Sequence, residues 1–367
     1  MDPVSTTSGT GASPRAIALS MGDPLGIGPE VLLKSIVALQ SQAQRFPTGL
    51  GLRVFGDCAW MQQLAVRLGY DPMPLGLHGA CGLPETKLPT PESYCPGPTL
   101  SLSGVAIQWE QVCSVPTKLL MGSVDAAAGR CAVLCVEAAA KAVLAGNCRA
   151  LVTAPLSKQA IALAGYPYPG HTELLAHLAG GVPVRMMLMN RHLRTVLLSV
   201  HLALREALNW VTAERLLETL QIADRSLARM LNRRPRLRVA GLNPHAGEAG
   251  AFGREEMDII RPCIERARTE GIDVDGPFSP DTVFARAWDH PEVDAVIAMY
   301  HDQGLIPIKL SGLDQGVNLT LGLPFVRTSP DHGTAPDIAG KGLAREQSMI
   351  EAILAAHELS GKLGASL

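Results

Sequence analysis

Short apolar runs alternate with stretches of helical spacing along most of this chain. Residues 16–21, 52–55, 150–153, 184–189, 194–200, 236–242 and 294–299 read as strands. Each is nearly continuous in Ala, Val, Leu, Ile and Met, which marks a strand covered on both faces rather than one with a solvated side. Between and beyond them, residues 29–39, 59–68, 125–144, 157–164, 172–179, 212–232, 254–270 and 345–360 carry the periodicity of helices. Pro29 at a first helical position and Glu30 in a first turn are helix-start signals. Residues 71–118, rich in Pro and Gly, are expected as loops that can include a hairpin. Strand and helix in alternation predict a doubly wound α/β architecture.

Composition narrows the partners. A chain of 367 residues is long enough for two domains, and 47% hydrophobic with 18% charged residues is the balance of a soluble globule. A net charge of -2 offers no overall attraction to nucleic acid or to an anionic membrane, so any anion site has to be local. The eight cysteines, at 58, 81, 95, 113, 131, 135, 148 and 263, include no CxxC pair and read as reduced thiols of a cytoplasmic protein. Residues 1–14 lack the basic and apolar regions of a secretory signal and are expected as a disordered leader. The longest apolar stretch, near 131–155, is interrupted by Glu137, Lys141 and Arg149, which excludes a transmembrane helix there.

The chemistry concentrates in residues 300–342, where His301, Asp302, Lys309, Asn318, Arg327, His332 and Asp337 are spread through apolar and glycine-rich sequence. His201, His245 and His301 each follow an apolar strand, and ligands of α/β sheets bind at the carboxyl ends of strands. Three imidazoles converging there would hold a divalent metal with positions open to substrate oxygens, although any one of them alone reads better as a hydrogen-bonded boundary residue. Asp281 and Asp302 would steady such histidines or serve as cap and turn residues. Gly170-His171-Thr172-Glu173 opens a helix whose first N–H groups suit an anion, and whose cap Thr172 or His171 would otherwise be. Lys309 and Arg327, set between apolar residues, are either snorkelling cations or partners of a phosphate and a carboxylate. The glycines of GDPLGIGPE fall as G-x-x-x-G-x-G, not as the dinucleotide fingerprint G-x-G-x-x-G, and a strand-to-helix turn accounts for them.

Taken together, GDPLGIGPE, VTAPLSK, GHTELLA, SVHLALRE, GLNPHAGEAGAFGREE, GPFSPDTVF, YHDQGLIPIKL and GVNLTLGLPFVRTSPDHGTAPDIAGKG resemble the 4-hydroxythreonine-4-phosphate dehydrogenase family of vitamin B6 synthesis, in family order from about 16 to 345. The closing HGTAPDIAGKG also resembles the nucleotide loop of isopropylmalate and isocitrate dehydrogenases. The resemblance implies two α/β/α domains of that dehydrogenase type with the site in the cleft between them. Residues 15–150 with 310–367 would form the nucleotide domain, and 151–309 the metal, substrate and dimerisation domain.

It further implies oxidation of a secondary alcohol by NAD or NADP with one divalent metal (Zn, Co or Mg), then loss of carbon dioxide from the β-keto acid. The family's metal histidines fall on His201, His245 and His301, and its substrate residues on His171, Thr172, Lys309, Asn318 and Arg327. Lys309, Asp302 and Asp281 are the candidate catalytic residues, and the segment 332–341, with His332 and Asp337, the candidate cofactor site. Asp337 is followed by Ile338, where a loop reading a 2′-phosphate would carry a cation, so NAD is expected ahead of NADP. A homodimer sharing residues across its active sites is implied as well. Dehydrogenases of threonate or erythronate 4-phosphate and of a terephthalate dihydrodiol resemble the same motifs, and an inactive small-molecule-binding homologue is the alternative of another class.

Overall fold

Burial dictates the strands. In the computed structural model, which describes residues 16–42, 50–77, 95–102, 105–312 and 314–361, every residue of the first strand, Ala16–Ser20, is enclosed. The expected leader and much of the 80–115 stretch lie outside the described residues. Twelve strands form one sheet: β1 Ala16–Ser20, β2 Gly51–Gly56, β3 Cys95–Leu102, β4 Val105–Gln111, β5 Ala150–Thr153, β6 Arg185–Met189, β7 Arg194–Leu197, β8 Leu237–Ala240, β9 Val274–Phe278, β10 Ala295–Ala298, β11 Val317–Leu321 and β12 Val326–Pro330. Their order is β3-β4-β2-β1-β5-β12-β11-β6-β7-β10-β8-β9.

The sheet is two mostly parallel halves joined through two adjacent antiparallel hairpins, β11–β12 and β6–β7. β12 runs parallel to β5, β11 pairs antiparallel with both β12 and β6, and β7, β10, β8 and β9 are again parallel to one another. Helices follow the strands as the alternation predicts, among them Gly28–Ser41, Ala126–Leu144, Ala213–Leu231 and Gln347–Gly361.

Several elements were not legible as such. Residues 71–118, expected as loops with room for a hairpin, supply the β3–β4 hairpin, and β4 also extends the sheet in parallel beside β2. His301–Lys309 is a helix despite Gly304 and Pro307, because Gly304 packs against Leu197 and Thr195 too closely for any side chain. The helix expected over 254–270 begins as a π turn, Glu256–Ile260, ahead of Arg261–Thr269. Pro262 lacks the N–H that a continuous helix would offer to residue 258. Helices Leu204–Trp210 and Pro280–Ala287 were not anticipated at all.

The GDPLGIGPE turn underpins the loop 331–344. Gly22 adopts φ +78 against the Pro155 carbonyl, and a Cβ on Gly26 would stand 2.8 Å from that of Thr334. Ile27 N–H donates to the Thr334 carbonyl at 2.9 Å. Further along the same helix, the buried Glu30 carboxylate accepts from the N–H of Ala344 (2.9 Å) and of Gly342 (3.3 Å) and pairs with Lys34 at 3.2 Å. Lys34 in turn donates to the carbonyls of Gly342 and Ala344, each at 2.7 Å. Removing one member of such an enclosed pair strands the other. Glu30→Ala is expected to cost about 3 kcal/mol, read as a lower urea midpoint, with Glu30→Gln losing less. Equal midpoints for wild type and Glu30→Ala would refute the clamp.

Candidate active site

Three adjacent parallel strands, β7, β10 and β8, deliver His201, His301 and His245 at their carboxyl ends, as their sequence positions predicted. The rings of His201 and His301 lie 5.8 Å apart between centroids. His301 Nδ1 and Asp302 Oδ1 are 2.7 Å apart, which fixes the ring and leaves Nε2 for a ligand. Burial, then the charges of Lys158 and His301, hold His201 below the ordinary histidine range, so it is neutral, the form a metal binds.

His245 is held differently. His245, Ala246, Glu248 and Ala249 all have φ between 40 and 54, a left-handed run that costs about 1–2 kcal/mol per residue. The Glu256 carboxylate holds it by accepting from the N–H of Leu242 and of Asn243, both at 2.7 Å, and from Asn243 Nδ2 at 2.9 Å. The His245 ring faces Phe252 at 6.0 Å and does not line the main cavity. Among the described residues no three His, Cys, Asp or Glu side chains come together as a metal-binding group. A single chain therefore brings two of the three histidines together. Asp281 accepts from the Ser279 hydroxyl, and no bond joins it to a histidine among the described residues. The donor chemistry, one neutral imidazole and another oriented by a carboxylate, fits a divalent metal.

Beside the histidine pair lies a cavity of about 740 Å³, lined by His171, Thr172, Lys309, Asn318, Arg327 and His332 among others. Its floor is Arg327, 2% exposed. The guanidinium donates to Thr320 Oγ1 (3.0 Å) and Thr153 Oγ1 (2.6 Å), while Nε has no partner and no carboxylate forms an ion pair with it among the described residues. Burial pushes it down to about 10, against the pull of Glu173. His171 opens the helix His171–Leu178, and its buried Nε2 also lacks a partner. A cation enclosed without a counter-ion, beside an unbonded ring nitrogen, is a site built for an anion.

Lys309 departs from expectation. It is 38% exposed, and Asp331 Oδ2 lies 2.8 Å from its Nζ, so it is not a bare charge in apolar surroundings. Asp331, Lys158 and Glu173 line the cavity too, and sequence reasoning did not single them out. The position of Asp331 immediately before His332, and of Lys158 at the end of TAPLSK, were the available signals. His332 Nδ1 lies 3.1 Å from the Gly333 carbonyl and its Nε2 is buried without a partner, which leaves a polar group for a ligand at the cavity's edge. Asp337 stands exposed on the same loop, outside the cavity wall.

Neutral imidazoles, an enclosed arginine and a pinned loop around one cleft at strand ends are the build of a metabolic enzyme acting on a small anion. Residues 87–356 match the family model described as pyridoxal phosphate biosynthetic protein PdxA, and the chain belongs to this family of dehydrogenases. It is 43% identical over 345 residues to the 4-hydroxythreonine-4-phosphate dehydrogenase of Geobacter metallireducens, covering 94% of this chain and 95% of that one. It is 41% identical over 346 residues to the D-threonate 4-phosphate dehydrogenase of Salmonella typhimurium, covering 94% and 99%. The crystal structure of 4-hydroxythreonine-4-phosphate dehydrogenase from Klebsiella pneumoniae superposes with a TM-score of 0.77 at 39% identity, over 94% of this chain and 99% of that one. No helix among the described residues is long and apolar enough to cross a membrane.

The His171 ring supplies a test of its environment. Burial, then the Arg327 charge, hold it well below its ordinary 6.5. It therefore stays neutral in the fold while the unfolded chain takes up a proton as pH falls through that value. The folded state loses stability below the unfolded value and nothing above it. Between about pH 7.5 and 5.5 the loss from this group is at most about 1.4 kcal/mol, so wild type should lose more stability over that interval than His171→Asn. Parallel losses in the two proteins would refute the enclosed, neutral ring.

Proposed function

We propose that the chain oxidises the secondary alcohol of a phosphorylated hydroxy acid with NAD(P) and a divalent metal, and that the resulting β-keto acid loses carbon dioxide. The first candidate is 4-phosphohydroxy-L-threonine, giving 3-amino-2-oxopropyl phosphate for vitamin B6 synthesis. The observation that carries this reading is Arg327, an enclosed guanidinium with an unbonded Nε and no carboxylate in ion-pair contact among the described residues. D-threonate 4-phosphate is the second reading, supported by the 41% identical Salmonella relative of that name.

In this reading Arg327, His171, Thr172 and Asn318 hold and orient the substrate, with His171 acting as a neutral hydrogen-bonding ring. Lys309 Nζ, steadied by Asp331, is the proton-carrying group beside the reacting carbons. His201 and His301, the latter set by Asp302, together with His245 and its neighbour Asp281, would hold the metal. A bound metal would supply electron withdrawal at the substrate's alcohol and keto oxygens, and a bound nicotinamide would supply the hydride acceptor. His332 and Asp337 on the pinned loop would hold the cofactor, and the Asp337 carboxylate favours NAD by repelling a 2′-phosphate. The domains are taken as 15–150 with 310–367, and 151–309, with the cavity as the cleft between them. Six free, buried thiols among the described residues suit a reducing cytoplasm.

The assay follows NADH with 4-phosphohydroxythreonine, D-threonate 4-phosphate and the dephosphorylated forms. Loss of the phosphate is expected to lower kcat/KM at least about tenfold, and NADP to be the poorer cofactor. Equal turnover with and without phosphate, or preference for a terephthalate dihydrodiol, would overturn the reading.

A homodimer with shared sites accounts for the separated histidine: the second copy would supply His245 to the His201–His301 pair. His201→Ala and His245→Ala are each expected to be inactive. Unfolded together and refolded as mixed dimers, they would regain up to about a quarter of wild-type activity, because one site of each mixed dimer is intact. No recovery from verified mixed dimers would place all three histidines in one chain.

A further inference from the structure

Counting charges in the cavity leaves one cation without a task. Lys158, Arg185, Arg215, Lys309 and Arg327 line it, against the carboxylates of Glu173, Glu218 and Asp331. Arg185 is paired with Glu218 at 2.5 Å and Lys309 with Asp331 at 2.8 Å. Arg215 lies over the Trp210 ring, 3.6 Å from its centroid, and donates to the Trp210 carbonyl at the rim. Arg215, Arg327 and Lys158 have no ion-pair partner among the described residues, and of these Arg215 is held on Trp210 and Arg327 on two hydroxyls. A substrate with both a phosphate and a carboxylate brings two anionic groups, the phosphate carrying about -1.5 to -2 charge at neutral pH. One enclosed guanidinium does not neutralise both.

Lys158 is placed for the second. It follows Ser157, whose hydroxyl accepts from Ala160 N–H, so the first turn after TAPLS is fixed and Lys158 projects from it. Thr153, which accepts from Arg327, lies on the same short stretch, so both cations are referred to the end of β5. The Lys158 stem passes beside Gly170: a Cβ there would lie 3.7 Å from Lys158 Cε and 3.7 Å from Glu173 Oε2. Lys158 thus borders Gly170, the residue ahead of the helix His171–Leu178, and His171, whose Nε2 has no partner, lines the same cavity. Glu173 is the nearby acid, exposed like Lys158 itself and not in ion-pair contact with it among the described residues.

We propose that Lys158 is the principal cationic contact of the substrate's phosphate, with Arg327 serving the carboxylate and Lys309 kept by Asp331 for proton transfer. This rests on the reading of a phosphorylated substrate given above. It assigns phosphate selectivity to a residue other than Lys309, the cation expected from sequence.

The test is the ratio of kcat/KM for the phosphorylated substrate to that for its dephosphorylated form, which cancels any general loss of activity. Wild type should show a large ratio, Lys158→Met a ratio at least about tenfold smaller, and Lys158→Arg most of the wild-type ratio. Inorganic phosphate, used as a probe in thermal unfolding, should protect wild type and protect Lys158→Met less. A ratio near one in wild type would sink the phosphorylated-substrate reading and this proposal with it. A large wild-type ratio that survives intact in Lys158→Met, with phosphate protection equal in both, would overturn the assignment of Lys158 alone.

Discussion

The Arg327 guanidinium sits on the seam of the molecule. It stands on β12 and donates to Thr153 at the end of β5 on one side and to Thr320 on β11 on the other. β5 and β12 close one parallel half of the sheet, and β11 begins the antiparallel passage toward the other. A guanidinium enclosed there without an ion-pair partner is costly; its hydroxyl partners and the charge of Glu173 relieve part of that cost, and a bound anion would relieve more. The group that ties these three strands together is therefore also the group that makes the cavity floor receptive. The cavity, the histidine pair and the loop 331–344 are arranged around this one placement.

Two further devices keep polar groups where apolar packing alone would not. The carboxylate of Glu256 takes up the N–H groups ahead of a left-handed run and so holds His245 away from its strand. The Glu30–Lys34 pair meets both the donors and the acceptors of residues 342 and 344, and Gly26 lets Thr334 approach the GDPLGIGPE turn. In each case a buried carboxylate is satisfied by main-chain N–H groups, so its burial costs little and its position is fixed. Strain in the His245 turn and rigidity in the 331–344 loop are thus two outcomes of the same chemistry.

Charge pairing inside the cavity divides cations that look alike in sequence. Lys309 and Arg327 both lie between apolar neighbours in the chain, yet one has a carboxylate at 2.8 Å and the other has only hydroxyls. Lys158 opens the helix Lys158–Leu163, where an exposed lysine would pass without notice. The difference among the three lies in what the folded chain sets opposite each of them.

The chain's own patterning determined the α/β class, most of the strands and the strand-end placement of His201, His245 and His301, because runs of enclosed residues and their spacing are local properties. It also marked Arg327, His171 and Asn318 through motifs that resemble a known family. The strands β11 and β12 were hidden because their polar residues serve the cavity, which breaks the apolar run a buried strand otherwise shows. The helix His301–Lys309 was hidden by Gly304 and Pro307, which local propensity counts against it and packing overrides. The partner of Lys309, the left-handed path of His245 and the isolation of Arg327 were decided only in three dimensions. Each depends on residues far apart in sequence, and pairing, strain and desolvation exist only once the chain has brought them together.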